Sequence, residues 1–201
     1  MLVIGVVGGV ASGKSLIANV FRELGARVVD VDRLGHEVLL EPEIKQGIRA
    51  RWGDQAFSEG GQVDRKALAK IVFAPDADGA AALARLESIT HPRIAKRLEE
   101  QIVQSRRDGN RLVVLDAAVL MKANWDRYCD KVVFVDATRK ERVARAMRRG
   151  WTEDEFSLRE SAQLPISEKK ARADFIISNS SSPDHAYDEA RRCWNQILAA
   201  T

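Results

Sequence analysis

Leu2-Val3-Ile4-Gly5-Val6-Val7-Gly8-Gly9-Val10-Ala11-Ser12-Gly13-Lys14-Ser15 begins as an apolar, β-branched run, breaks into glycines and ends on a lysine and a serine. The run Leu2 to Val7 has the composition of a buried strand. Gly8 to Ser15 then satisfies G-x-x-x-x-G-K-[ST], and Leu16, Ile17, Val20, Phe21 and Leu24 follow at helical spacing on one apolar face, with Gly25 at the stop position. Strand, glycine loop and helix in that order are the setting in which this pattern holds phosphate. Glycines let the backbone curl so that successive N–H groups point inward, and the helix amino terminus adds its dipole and unpaired donors. The expected cradle runs through Gly8, Gly9, Val10, Ala11, Ser12, Gly13, Lys14, Ser15 and Leu16. Lys14 is expected to neutralise the β- and γ-phosphates of ATP and Ser15 to offer a hydroxyl to Mg²⁺.

Outward from this stretch, four further apolar runs recur at Arg27 to Val31, Leu112 to Leu115, Val132 to Val135 and, more weakly, Phe175 to Ile177. Near-continuous apolar strands separated by helical patterns predict a parallel sheet covered on both faces, an α/β fold. Between Gly35 and Gly109 no strand signal recurs. Val63 to Phe73, Gly79 to Ile89 and Pro92 to Gln104 read as helices, so the segment is expected to be a helical insertion. Arg139 to Lys170 is dense in basic residues, carries the acidic patch Glu153-Asp154-Glu155 and holds few apolar residues, the composition of a mobile lid rather than of buried structure. Ala186, Ala190, Cys193, Trp194, Ile197 and Leu198 predict a terminal packed helix. The expected organisation is one domain with a core (about 1–34, 110–137 and 172–201), an insertion (about 35–109) and a lid (about 138–171).

The chain has 201 residues, 45% of them hydrophobic, with a formal net charge of +3 and a pI near 9.0. That mild basic bias suits anionic ligands. No aromatic-interleaved basic stripe or zinc pattern accompanies it, so a nucleic-acid partner is not expected. Cys129 and Cys193 lie far apart with no C-x-x-C pairing, which points to neither a disulfide framework nor a metal knuckle and fits a reducing cytoplasm. Leu2 to Val7 is too short to span a membrane.

Three carboxylates stand where chemistry is expected. Asp30 and Asp32, two apart at the end of the second strand, project to one side of an extended chain. One can accept a proton from a substrate hydroxyl or orient metal-bound water, or serve as N-cap to a helix over Arg33 to Leu40. Asp116 closes the run Leu112 to Leu115, the place of the acid that holds Mg²⁺ in phosphate-loop enzymes, although an aspartate ending a strand also caps loops. His36, a turn beyond Asp32, and His91, before Pro92 at an expected helix start, read first as structural hydrogen-bonding groups.

The phosphate loop, Val29-Asp30-Val31-Asp32, Thr90-His91-Pro92 and Ala171-Arg172-Ala173-Asp174-Phe175-Ile176-Ile177-Ser178-Asn179 together resemble the dephospho-CoA kinase family, nearly from end to end. The resemblance implies a three-layer P-loop NTPase-type fold with a parallel five-stranded sheet, a helical coenzyme-binding insertion and a lid. It implies ATP-dependent, Mg²⁺-assisted phosphorylation of the 3′-hydroxyl of dephospho-CoA by a cytoplasmic monomer or weak oligomer. By the same resemblance Asp32 aligns with the catalytic base and Asp30 with the preceding acid. Arg145 and Arg149 align with lid arginines, Asn179 with an adenine-side loop, and His36, His91 and Asp116 with the substrate side. The chain departs from the family where Asp116-Ala117-Ala118-Val119-Leu120-Met121-Lys122 lacks a proline and carries Lys122 in place of an acid. It departs again at Val7 and Leu16, where the family has hydroxyl residues. A different P-loop kinase of small molecules or nucleosides and nucleotides, or a non-catalytic nucleotide-binding relative, are the competing readings.

Overall fold

The computed structural model describes residues 1–74 and 76–200. Among them the strands are β1 (Leu2–Gly8), β2 (Arg27–Asp30), β3 (Leu112–Asp116), β4 (Lys131–Asp136) and β5 (Phe175–Ser178). They form one sheet in the order β2-β3-β1-β4-β5 with all neighbours parallel. β1 and β3 are buried along almost their whole length, which is why they read as unbroken apolar runs. From β1 the chain moves to β2 on one side and later to β4 on the other, so the strand order reverses at β1. The carboxyl end of that strand is where an open parallel sheet leaves a crevice for ligand.

The helices are α1 (Lys14–Glu23), α2 (Val31–Val38), α3 (Pro42–Trp52), α4 (Arg65–Val72), α5 (Ala77–Arg107), α6 (Arg139–Arg148), α7 (Glu153–Ser161), α8 (Ile166–Ala171) and α9 (Pro183–Ala199). The chain divides into two compact units, Met1–Asp30 with Gln101–Thr201, and Val31–Glu100. The first holds the whole sheet. Its core joins Ile4, Val6, Ile17, Phe21, Val114, Val133, Ile177, Trp194 and Ile197, with the Phe21 and Trp194 rings 5.6 Å apart. Each such side chain contributes roughly 1.5–3 kcal/mol on burial. The second unit is helical, and Glu41 at the N-cap of α3 ties it together by accepting from both Arg93 and Arg97 of α5. The Arg93 hydrogen bond is the first cause that holds the Glu41 carboxyl below its ordinary range.

Several expectations are corrected. Leu16 is 41% exposed and does not share the buried face of Ile17, Val20 and Phe21. β2 stops at Asp30 and α2 starts at Val31, so Asp32 lies in the first turn of a helix rather than beside Asp30 in extended chain, and no helix begins at Arg33. Gly79–Ile89 and Pro92–Gln104 are parts of one helix, α5, which continues past Pro92. An interior proline costs about 3 kcal/mol, but Ala82 and Thr90 before it and Ile94 and Leu98 after it are all buried, and their packing keeps both halves helical. His91 therefore sits mid-helix. The segment expected to be a lid with too few apolar residues for burial is helical and partly buried. Two capping boxes, Thr138 with Glu141 and Thr152 with Glu155, start α6 and α7. Phe156, Ala146, Arg142 and Lys169 are buried. No helix among the described residues is long and apolar enough to cross a membrane.

Candidate active site

The loop between β1 and α1 owes its course to glycine at each close approach. A Cβ on Gly8 would lie 2.4 Å from Ser12 Oγ, one on Gly9 2.8 Å from Arg142, and one on Gly13 2.1 Å from the Asn179 amide nitrogen. Gly13 also has φ +96° as N-cap of α1, and no side chain caps that helix. The Leu16 N–H turns back to the Gly13 carbonyl at 3.0 Å, which leaves the N–H groups of Lys14 and Ser15 at the helix start for an incoming acceptor. Ala11 adopts φ 57°, an uncommon left-handed geometry for a residue with a side chain. Ser12 is fully buried, and its hydroxyl oxygen has no hydrogen-bond partner.

At the helix side of the loop, Ser15 Oγ donates to Asp116 Oδ2 at 2.7 Å. β3 brings Asp116 there by pairing in register with β1, and the same register sets Asp30 of β2 opposite Asp116. Asp116 is 8% exposed. A serine hydroxyl and a carboxylate in contact beside a glycine-lined loop are hard oxygen donors of the kind Mg²⁺ takes, since that ion keeps most of its shell for water and phosphate. Among the described residues no group of three His, Cys, Asp or Glu side chains forms a metal cage. The donor set therefore suits an ion shared with a phosphate ligand.

Behind the loop, cations grip its carbonyls in alternation. Lys169 Nζ donates to the Gly8 carbonyl at 3.2 Å, Arg142 Nη1 to Val10 at 3.4 Å, and Arg145 Nη1 to Ser12 at 2.9 Å. Asn179 Nδ2 reaches the same Ser12 carbonyl at 2.7 Å, and Arg145 Nη2 donates to the Asn179 carbonyl at 2.7 Å. Arg142 is paired with Glu160 of α7 and lies over the Phe156 ring. Phe156 packs with Val10, Ala11 and Ala146. Burial first, then the neighbouring charges of Lys14 and Arg142, push the Lys169 ammonium down to about 8.

Of the residues marked in the sequence, the structure brings Gly8 through Ser15, Asp30, Asp116, Arg145 and Asn179 to the carboxyl end of the sheet. Arg149 is the exposed C-cap of α6. Asp32 and His36 are exposed on α2, and His91 is half-buried in α5, all within the second unit. Sequence reasoning passed over Arg142 and Lys169. Arg142 lies three residues before Arg145 on one helix face, a spacing that was available as a signal. Nothing in the sequence separates Lys169 from Lys170, and only the register of α8 buries one and leaves the other exposed.

The sequence pattern of the family described as dephospho-CoA kinase matches residues 2–184. A dephospho-CoA kinase from Symbiobacterium thermophilum is 37% identical over 198 residues, covering 96% of this chain and 80% of that protein. One from Geobacter sulfurreducens is 36% identical, covering 96% and 98%. The solved dephospho-CoA kinase from Campylobacter jejuni superposes with a TM-score of 0.71 at 24% identity, covering 97% of this chain and 96% of that one, a likeness of fold.

Proposed function

The chain belongs to the dephospho-CoA kinase family, and from that premise we propose that it transfers the γ-phosphoryl group of ATP to the 3′-hydroxyl of dephospho-CoA, giving coenzyme A and ADP. The observation that carries the nucleotide half of this reading is the uncapped, glycine-lined loop with Ser15 hydrogen-bonded to Asp116 at its rim. The acceptor half rests on the family.

The backbone N–H groups of the loop and Lys14 hold the β- and γ-phosphates. Ser15 and Asp116 would hold Mg²⁺, which when bound supplies charge neutralisation on the transferring group. Asp32, assigned by resemblance, accepts the 3′-hydroxyl proton. The substrate oxygen forms its bond to the γ-phosphorus as the bond to the β–γ bridging oxygen breaks, and ADP leaves with the electron pair. Asp30 orients the substrate beside it, and Arg145, lodged against the Ser12 carbonyl, adds positive potential to the phosphate site and holds the loop's course. Arg149 joins it as a second cation, Asn179 lies on the adenine side, and His36 and His91 on the coenzyme side. Positioning and electrostatics do the work, since the transferring group needs little covalent help.

The test is ADP release with Mg²⁺ and ATP in the presence of dephospho-CoA, adenosine, AMP or no acceptor. Release that requires dephospho-CoA, with coenzyme A as product, is expected. Turnover confined to adenosine or AMP would overturn the acceptor, and ATP binding without any acceptor-dependent release would make the chain a non-catalytic relative.

A further inference from the structure

The cations behind the phosphate loop touch carbonyls of residues 8, 10 and 12 and skip those between. A trans peptide is planar, with its C=O and the following N–H pointing to opposite sides, and the described peptide bonds are all trans. Fixing the Gly8 carbonyl toward Lys169 therefore turns the N–H of Gly9 the other way. The Val10 carbonyl on Arg142 does the same for Ala11, and the Ser12 carbonyl on Arg145 and Asn179 for Gly13. Three alternate peptide planes are thus pinned from behind, which is the condition for a row of N–H donors to face one anion on the far side.

Among the described residues only Arg142 of the three cations has a carboxylate partner; half-buried Arg145 donates to Ser12 and Asn179, and Lys169 lies deeper than it. Arg142 is paired with Glu160, whereas Lys169 Nζ is held by two neutral oxygens, the Gly8 carbonyl and Gln163 Oε1 at 2.6 Å. It is 4% exposed. A lysine carried this deep, beside other cations and without a counter-ion of its own, is costly for folding alone. A polyanion arriving at the other face of the loop offsets that cost. Resting on the nucleotide reading above, we propose that Lys169 is a positioning residue for the phosphate site: in its charged form it locks the Gly8–Gly9 peptide so that the loop presents its donors to the β- and γ-phosphates.

The charged groups that face Lys169 are Lys14 of α1, Arg142 of α6 and Glu160 of α7. With its ammonium down at about 8, a growing share of Lys169 is neutral above that pH, and a bound polyanion pulls the proton back on. Nucleotide affinity in the intact chain is therefore full at lower pH and falls as pH rises through this range, because binding then has to recover the proton. Arginine stays charged throughout and removes that fall.

The experiment measures ATP and ADP affinity by calorimetry without acceptor, and KM and kcat with acceptor, in the full chain and in Lys169→Met and Lys169→Arg. Losing a charge-assisted hydrogen bond predicts about 10–100-fold weaker nucleotide binding in Lys169→Met, with the KM for dephospho-CoA unchanged. Lys169→Arg restores affinity and flattens the pH profile. Nucleotide affinity in Lys169→Met equal to that of the unaltered chain overturns the proposal. If Lys169→Met does not fold, the comparison of the unaltered chain with Lys169→Arg decides: identical pH profiles overturn it, and a fall present only in the unaltered chain upholds it. Because nucleotide binding is read without acceptor, a chain that binds ATP but leaves dephospho-CoA unmodified would overturn the acceptor reading and leave this one standing.

Discussion

Lys14 opens α1, and Asp116 is hydrogen-bonded to the next residue, Ser15, yet the two are expected to fail differently when altered. On the proposed reading Lys14 is the point charge for the β- and γ-phosphates, so Lys14→Ala should weaken ATP binding and turnover together. Loss of a charge-assisted contact of this kind corresponds to roughly 10–100-fold in affinity, read by calorimetry and by the KM for ATP. Asp116, hydrogen-bonded to Ser15, would on the same reading act through the metal. Asp116→Asn should shift the Mg²⁺ concentration giving half-maximal rate upward by about 10–100-fold, the usual cost of losing a supporting carboxylate, while nucleotide affinity measured without metal changes little. Equal Mg²⁺ dependence in both proteins would remove Asp116 from that role. Asp32 predicts a third pattern. As a general base it contributes about 10²–10⁴-fold to the chemical step, so Asp32→Asn should keep ATP affinity and lose turnover by that order in the coupled assay. Unchanged turnover would assign the proton to another acceptor.

At the scale of elements, α6 and α7 carry more than their sequence suggests. Arg139 to Lys170 reads as a solvated basic stretch because its apolar residues are few. Two of them, Ala146 and Phe156, are nonetheless fully buried, and Phe156 closes on Val10 and Ala11 of the phosphate loop. Phe156→Ala should cost about 3–5 kcal/mol in denaturant unfolding and raise the KM for ATP, because the loop loses its packing partner. A variant with lowered stability and an unaltered KM would show that the loop holds its course without α7. β1, β3 and β4 were legible because burial on both faces leaves a short, β-branched apolar run, whereas β2 and β5 are partly exposed and gave weaker runs. The passage from β1 to α1 was legible because the glycine pattern follows a strand and opens a helix. The continuity of α5 past Pro92 was not, since the penalty is local and the packing that outweighs it is set by residues a turn or more away. The acids Glu153-Asp154-Glu155 looked like a patch and are the first turn of a helix, Glu155 closing its capping box.

For the molecule as a whole, the division into Met1–Asp30 with Gln101–Thr201 and Val31–Glu100 separates two kinds of information. The loop, α1, Asp116, Arg142, Arg145, Lys169 and Asn179 all belong to the first unit, and their mutual contacts could be read one by one. Asp32, His36 and His91 belong to the second, and their roles rest on family resemblance. Nucleotide recognition built from the first unit should stabilise that unit whatever the second does. By mass action, ligand at about 100 times its Kd adds about 2.7 kcal/mol, and at about 2–4 °C per kcal/mol for a chain of this size the unfolding midpoint should rise by roughly 5–10 °C with ADP and Mg²⁺ alone. Scanning calorimetry checks this in the unaltered chain and in Lys14→Ala, where the rise at the same ligand concentration should largely vanish. If the chain unfolds in two transitions, only the one belonging to the first unit should move with nucleotide. A midpoint that ADP leaves in place while dephospho-CoA alone shifts it would show that the loop is not the nucleotide site, and the assignment of donor and acceptor would have to be exchanged.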